Sequence, residues 1–148
     1  MKKAKGKSPE VSNKSPQTSD KLRKIILECD LSPGDITMLA AAIRDLKRSN
    51  SNFLVDVKTP VPQIWENNPH LTKLDPKDKD VEVIKTEYPL IHASNSRPYH
   101  FIHGYAMFLE EKLGVKIPVT EFKGDIHISD MEKAWMSQMQ ELGVFQNY

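Results

Sequence analysis

Cysteine is almost absent from the chain, because Cys29 is the only one among 148 residues. A single cysteine cannot form an intramolecular disulfide, and a cysteine-rich zinc site is excluded as well. Free thiols are typical of reducing compartments, so we expect an intracellular protein, cytoplasmic or nuclear. The neighbours Glu28 and Asp30 are acidic and would not stabilise a thiolate. We therefore interpret Cys29 as a small buried hydrophobic residue and not as a nucleophile.

Long apolar runs are also absent. No run comes near the roughly 20 residues that a membrane-spanning helix needs. The first ten residues, MKKAKGKSPE, are basic, but no apolar segment follows them. They therefore lack the pattern of a secretory signal, and we expect no membrane partner.

Motifs for phosphate binding and nucleophilic catalysis are missing. The six glycines are scattered and none are paired as Gly-x-Gly, so no phosphate-binding loop is predicted. The Gly-x-Ser-x-Gly turn of serine hydrolases does not occur either. These absences favour a non-enzymatic protein over an enzyme, and we expect no cofactor. No motif covers enough of the chain to place it in a family.

Positive charge is concentrated at the start of the chain. Residues 1–24 hold eight Lys or Arg against two acidic residues, whereas the remainder holds 13 basic and 18 acidic residues. Residues 1–19 contain almost nothing to bury, so we predict a disordered basic tail in front of a single domain over 20–148. Such asymmetry indicates binding to nucleic acid or to an acidic protein surface. The predicted contact residues are Lys2, Lys3, Lys5, Lys7, Lys14, Lys21, Arg23 and Lys24.

The segment 98–113 is the strongest helix prediction. Phe101, Tyr105 and Phe108 recur at helical spacing with Leu109 beside them, which predicts a broad apolar stripe. Gly114 has the position of a left-handed cap. We expect Leu109 to be buried at the centre of that stripe. A second well-marked helix begins at Ser32, where an N-cap serine is followed by proline.

The remaining elements complete an α+β fold of about four helices packed on a small sheet. Alternating patterns predict strands over 53–58, 81–88 and 125–128. Residues 21–31 are predicted to form a short helix, because apolar residues recur there at intervals of three and four. The last helix should begin at a capping box of Ser129 and Glu132. It is expected to bury Met131, Ala134, Trp135, Met139 and Leu142.

A proline-rich loop over 59–80 separates the first two strands. Four prolines at this density exclude a regular element, and long ordered loops are often functional. Ile64 and Trp65 are its large apolar residues. We expect them to anchor the loop to the core or to a partner, and they are the candidate partner-binding residues.

Histidine supplies the most suggestive chemistry. His100 and His103 lie three residues apart on the predicted helix, and His92 and His127 lie nearby in sequence. Two histidines on one helix with a third from a loop can hold a metal. The i, i+4 pair with an intervening glutamate that is typical of zinc hydrolases is missing. Ordinary hydrogen-bonded histidines are therefore favoured, and no metal is predicted.

Three functions are compatible with these features. The leading hypothesis is a non-enzymatic binding or assembly subunit, whose tail contacts nucleic acid or an acidic partner. Its body would dock on another protein through the proline-rich loop and the last helix. One alternative is a small metal-dependent or hydrolytic enzyme using His100 and His103. The other is a structural component of a particle or virion.

Overall fold

The computed structural model describes residues 22–87, 90, 96, 98–136 and 141–143. Over these residues the chain is a small α+β domain with a parallel three-stranded sheet and three α-helices. The strands are β1 (Arg23–Glu28), β2 (Phe53–Lys58) and β3 (Val81–Lys85). The helices are α1 (Pro33–Ser49), α2 (Phe101–Leu113) and the single turn α3 (Asp130–Lys133).

The prediction of a helix over 21–31 is wrong, because this segment forms the central strand β1. It pairs in parallel with β2 on one side and with β3 on the other. Ile25, Ile26 and Leu27 are all fully buried, so both faces of the strand are covered. A strand covered on both faces has no alternation of apolar and polar residues, and such a run cannot be told from a buried helix by periodicity.

Helix α1 connects the two parallel strands β1 and β2, as a parallel pair requires. It begins where the sequence predicts: Ser32 is the N-cap, its side chain accepts from the backbone N–H of Asp35, and proline follows.

Helix α2 packs against α1 and completes one side of the core. Leu109 and Tyr105 are fully buried, as the predicted apolar stripe requires, whereas Phe101 at its start is 52% exposed. The helix ends at Gly114 as predicted, with a φ of 69°. It begins at Phe101, later than predicted, because the side chain of His100 caps it by accepting from the backbone N–H of Ile102.

The C-terminal predictions fail in two respects. Residues 125–128 contain no strand, and the helix after Ser129 is described as only one turn. The predicted capping box of Ser129 and Glu132 is present. However, Met131 and Trp135 are 73% and 72% exposed, and Ala134 and Leu142 are exposed as well. A single turn offers no stripe long enough to pack, so the prediction that these residues form core is wrong; Met139 lies outside the described residues.

Two further sequence predictions concern the ends and the membrane. Residues 1–21 lie outside the described part of the chain, so the disordered tail and the domain boundary stay predictions. Among the described helices, none is both long enough and apolar enough to cross a bilayer.

Candidate functional site

Three side chains with metal-binding atoms converge on the surface beside α1. They are His70 from the proline-rich loop, and Asp125 and His127 from the segment before α3. The Oδ2 atom of Asp125 lies 3.1 Å from Nε2 of His127 and 3.7 Å from Nε2 of His70. The two imidazole rings meet edge to face, with centroids 6.2 Å apart. Both histidines therefore direct the same ring nitrogen towards one carboxylate oxygen.

Asn68 positions two of the three groups. It is a buried residue, with 7% of its surface exposed. Its Oδ1 accepts from the backbone N–H of His70 at 2.9 Å, which fixes the turn that presents the histidine. Its Nδ2 donates to the backbone carbonyl of Asp125 at 3.4 Å. One buried amide thus ties the loop to the segment that carries the other two groups.

Arg44 on α1 holds the segment from the other side. Its guanidinium donates to both carboxylate oxygens of Asp45 and to the backbone carbonyls of Glu121 and Lys123. It also lies 3.8 Å from Oδ1 of Asp125, the oxygen that faces away from the histidines. Arg44 is 1% exposed and Asp45 is fully buried. The buried pair therefore acts as a clamp on residues 121–125.

Two further contacts fix where this segment crosses α1. The side chain and backbone N–H of Thr120 both donate to the carboxylate of Asp45, at 2.6 and 3.2 Å. Gly124 lies so close to α1 that a Cβ atom on it would come within 2.4 Å of the Thr37 methyl group. Only glycine allows this approach, so its position helps to set the register of Asp125 against Arg44.

The electrostatics of the cluster favour neutral histidine at one position. Burial lowers the pKa of His70 below the ordinary 6.5, although the carboxylate of Asp125 acts in the opposite direction. The side chains of His70 and His127 are 23% and 35% exposed, and that of Asp125 is 12% exposed. Solvent can therefore reach both histidine side chains, whereas the carboxylate of Asp125 is largely covered.

His100 and His103 are placed differently from these three groups. Nδ1 of His100 accepts the helix-capping hydrogen bond at 3.2 Å. Both rings contact Phe122, with centroids 5.3 and 5.0 Å away. In the described residues the group that meets the geometry of a metal site contains His127 but neither of them. His92 lies outside the described residues, so the full set of four histidines considered from sequence is not tested.

His70 is the residue that the sequence analysis missed. It lies in the proline-rich loop, far along the chain from Asp125 and His127. The Asp-x-His spacing of 125 and 127 is the only local signal, and such pairs are common without a metal. The third group becomes apparent only when the loop is placed against the segment before α3.

The candidate partner-binding residues of the loop are largely internal. Trp65 ends a short 3-10 helix (Pro62–Trp65), is 5% exposed and belongs to the core cluster. Ile64 is half-buried and packs against the same cluster. Both thus anchor the loop to the chain itself, which was one of the two outcomes expected. A contact of either residue with a partner stays a prediction.

The C-terminal segment carries a row of exposed apolar side chains. Ile126 and Ile128 are 52% and 48% exposed, and Met131, Trp135 and Met136 continue the row at 62–73%. We call these five residues the apolar row. The exposure of Met131 and Trp135 is opposite to that expected from sequence, although the last helix was also predicted to be a docking element.

Two of the eight predicted nucleic-acid contacts are engaged within the domain. Arg23 donates to the last carbonyl of α2, at Leu113, and pairs with Glu82 on β3. Lys24 pairs with Asp78 at 2.7 Å. The other six, Lys2, Lys3, Lys5, Lys7, Lys14 and Lys21, lie outside the described residues.

Comparison with known proteins supplies no relative. No protein-family model matches the chain, and no curated protein or solved structure matches it.

Proposed function

We propose that this protein is a non-enzymatic binding or assembly subunit. Its body docks on another protein through the apolar row, and its basic N-terminal residues contact nucleic acid or an acidic surface. The observation that carries the docking part is the exposure of five large apolar side chains within residues 126–136. Single exposed apolar residues are ordinary on a protein surface, whereas five within one short segment are a candidate interaction site.

The composition of the row supports an interface. Methionine and tryptophan are enriched in the cores of protein–protein interfaces, and tryptophan is among the residues that most often dominate binding energy. The backbone around the first two residues of the row is held in place. The Arg44–Asp45 clamp holds the residues before Ile126, and the capping box of Ser129 holds those after Ile128. A partner would therefore meet a segment whose position is partly set beforehand.

The basic N-terminal residues support the second part of the proposal. With Arg23 and Lys24 paired inside the domain, residues 1–21 still hold six lysines against Glu10 and Asp20. Lysine-rich segments bind phosphates through charge and do not recognise base edges. Binding should therefore be strong only at low salt and should be independent of sequence.

The docking proposal is tested by size-exclusion chromatography with light scattering, after low-salt purification from the source cells. We expect wild-type protein to elute with one stoichiometric protein partner. The double variant M131S/W135S should elute as the free chain. The matched control is M107S, which removes a 39% exposed methionine on α2 outside the row and should keep the partner. A free wild-type chain, or a partner retained by the double variant, would contradict the docking proposal.

The nucleic-acid part is tested with fluorescent 20-nucleotide DNA and RNA probes. Full-length protein should bind both, and log affinity should fall against log salt with a slope of about −0.7 to −0.9 per phosphate contact. Deletion of residues 1–19 removes Lys2, Lys3, Lys5, Lys7 and Lys14 and should flatten that slope. If both proteins bind equally poorly at 50 mM salt, the partner of the tail is not nucleic acid.

A further inference from the structure

We propose that His70, Asp125 and His127 form a binding site for one transition-metal dication, and that Zn²⁺ is the ion it fits best. The site would supply two imidazole nitrogens and one carboxylate oxygen, and leave a fourth position for water. Its ligands are different side chains from those of the apolar row, although Ile126 lies between Asp125 and His127 in the chain. Metal binding and partner docking are measured by different experiments, so either proposal can fail without the other.

The distances match the separation that a tetrahedral ion imposes on its ligands. Zinc binds imidazole nitrogen and carboxylate oxygen at about 2.0–2.1 Å, which places adjacent ligand atoms about 3.3 Å apart. The observed distances from Oδ2 of Asp125, 3.1 Å to His127 and 3.7 Å to His70, lie on either side of that value. All three ligand atoms lie within 4.8 Å of one another. Small side-chain rotations would therefore complete the geometry.

The ligand set selects the class of ion. Calcium and magnesium require six or more ligands that are mostly oxygen, and here two of the three donors are nitrogen. Imidazole with one carboxylate suits zinc and the neighbouring first-row metals. The partial exposure of both histidines leaves room for a water ligand.

Supporting contacts behind the ligands resemble those of metal centres. One oxygen of Asp125 faces Arg44, which leaves the other free to face the histidines. The charge of Arg44 is already paired with Asp45, so it does not cancel the negative charge of Asp125. Asn68 orients both the His70 turn and the Asp125 backbone. Such surrounding groups orient metal ligands and contribute to affinity.

A hydrogen bond between Asp125 and His127 is the simplest alternative, and it accounts for only part of the arrangement. It explains the 3.1 Å contact. It does not explain why Nε2 of His70 points at the same oxygen from 3.7 Å, too far for a hydrogen bond. A shared ion would account for both contacts, because it would bind Nε2 of each histidine and Oδ2 of Asp125 at the same time.

Metal binding would join two parts of the chain. His70 follows the 3-10 helix, whereas Asp125 and His127 immediately precede the capped turn α3. An ion bound by all three would link the proline-rich loop to residues 125–127. Zinc should therefore raise the melting temperature of the protein.

The test uses full-length protein without a polyhistidine tag, stripped with a chelator and titrated with Zn²⁺ by calorimetry. We expect one equivalent to bind. The variants H70Q, D125N and H127Q should each lose more than the roughly 10–100-fold in affinity that removal of a supporting group costs. N68A removes such a supporting group, so its affinity for zinc should fall by roughly 10–100-fold. In nitrogen NMR spectra, zinc should shift Nε2 of both histidines while Nδ1 stays protonated.

The matched control is H100N, which removes a histidine outside the cluster and keeps a residue that caps helices well. It should bind zinc as wild type does. Circular dichroism of each metal-free variant tests whether the fold is intact, and D125N conserves shape if a histidine variant does not fold. The proposal is overturned if wild-type protein binds no more zinc than the double variant H70Q/H127Q. Loss of binding in H100N would overturn it as well, because it would move the site to α2.

Discussion

At the scale of single residues, the largest departure from expectation is the burial of charge on α1. Arg44 and Asp45 are adjacent, hydrophilic and unremarkable in sequence, yet they are 1% and 0% exposed. Buried charges are tolerated when they are paired and hydrogen-bonded. Here Arg44 also donates to two backbone carbonyls, and Asp45 accepts a hydrogen bond from the Thr120 hydroxyl. Neither residue was identified from sequence, because their partners lie on residues 120–123.

The first residue-scale prediction concerns the core. Leu109 is fully buried among side chains of α1, α2 and the sheet, so L109A should lower the free energy of unfolding by about 2–5 kcal/mol through lost transfer energy and a cavity. The control M107A lies on the exposed side of α2 and should cost less than about 0.5 kcal/mol. Urea unfolding measures both. Equal costs would place α2 outside the core.

The second residue-scale prediction concerns pH. Hydrogen bonds from Lys123, and secondarily from Arg48, lower the pKa of Glu121 from 4.5 to about 2. Its carboxylate therefore contributes stability above pH 4.5, and this contribution is lost as the pH falls towards 2. The melting temperature of E121Q should lie below that of wild type at neutral pH and approach it below pH 2. In a carbon NMR titration, K123M should raise the pKa of Glu121 more than R48M does.

At the scale of elements, β1 shows why a local pattern can fail. Three successive buried residues, Ile25, Ile26 and Leu27, fit a helix as well as a strand until the neighbours are known. Only pairing with β2 and β3 makes the extended form favourable, because both edges of the strand are then hydrogen-bonded. Helix α1 and strand β2 were predicted correctly because their caps and alternation are local.

The element-scale prediction concerns the clamp of α1 on residues 121–125. R44M removes the nearest cation from the buried Asp45, leaving only Arg48 at 3.9 Å, and frees two carbonyls, so it should cost about 3–5 kcal/mol of stability. The control R48M removes a side chain that is 46% exposed and pairs with Glu121 at the surface, and should cost about 1 kcal/mol or less. Limited proteolysis should cut R44M, but not R48M, within 119–128. If R44M matches R48M in both measurements, the clamp does not hold the segment.

At the scale of the whole molecule, basic residues and exposed apolar residues are concentrated in different parts of the sequence. Residues 1–21 hold six lysines against two acidic residues, whereas residues 126–136 hold the apolar row. The proposed assembly subunit would use the two parts for different partners.

The whole-molecule prediction is that the tail does not contribute to folding. Deletion of residues 1–19 removes almost no apolar side chains, so the melting temperature should change by no more than about a degree, within the range of an ordinary surface change. Differential scanning calorimetry at 50 mM and 300 mM salt measures it. A fall of several degrees at low salt alone would mean that the tail folds onto the acidic body.

The sequence by itself determined the elements whose signals are local: the Ser32 cap of α1, the alternation of β2, and the stripe and glycine cap of α2. It also determined the charge asymmetry. The tertiary structure alone decided that β1 is a strand, that Arg44 and Asp45 are buried, that Trp135 is exposed, and that His70 meets Asp125 and His127. The physical reason is that burial, pairing and ligand geometry depend on contacts between residues distant in the chain. Caps and periodicity depend on neighbours a few residues away.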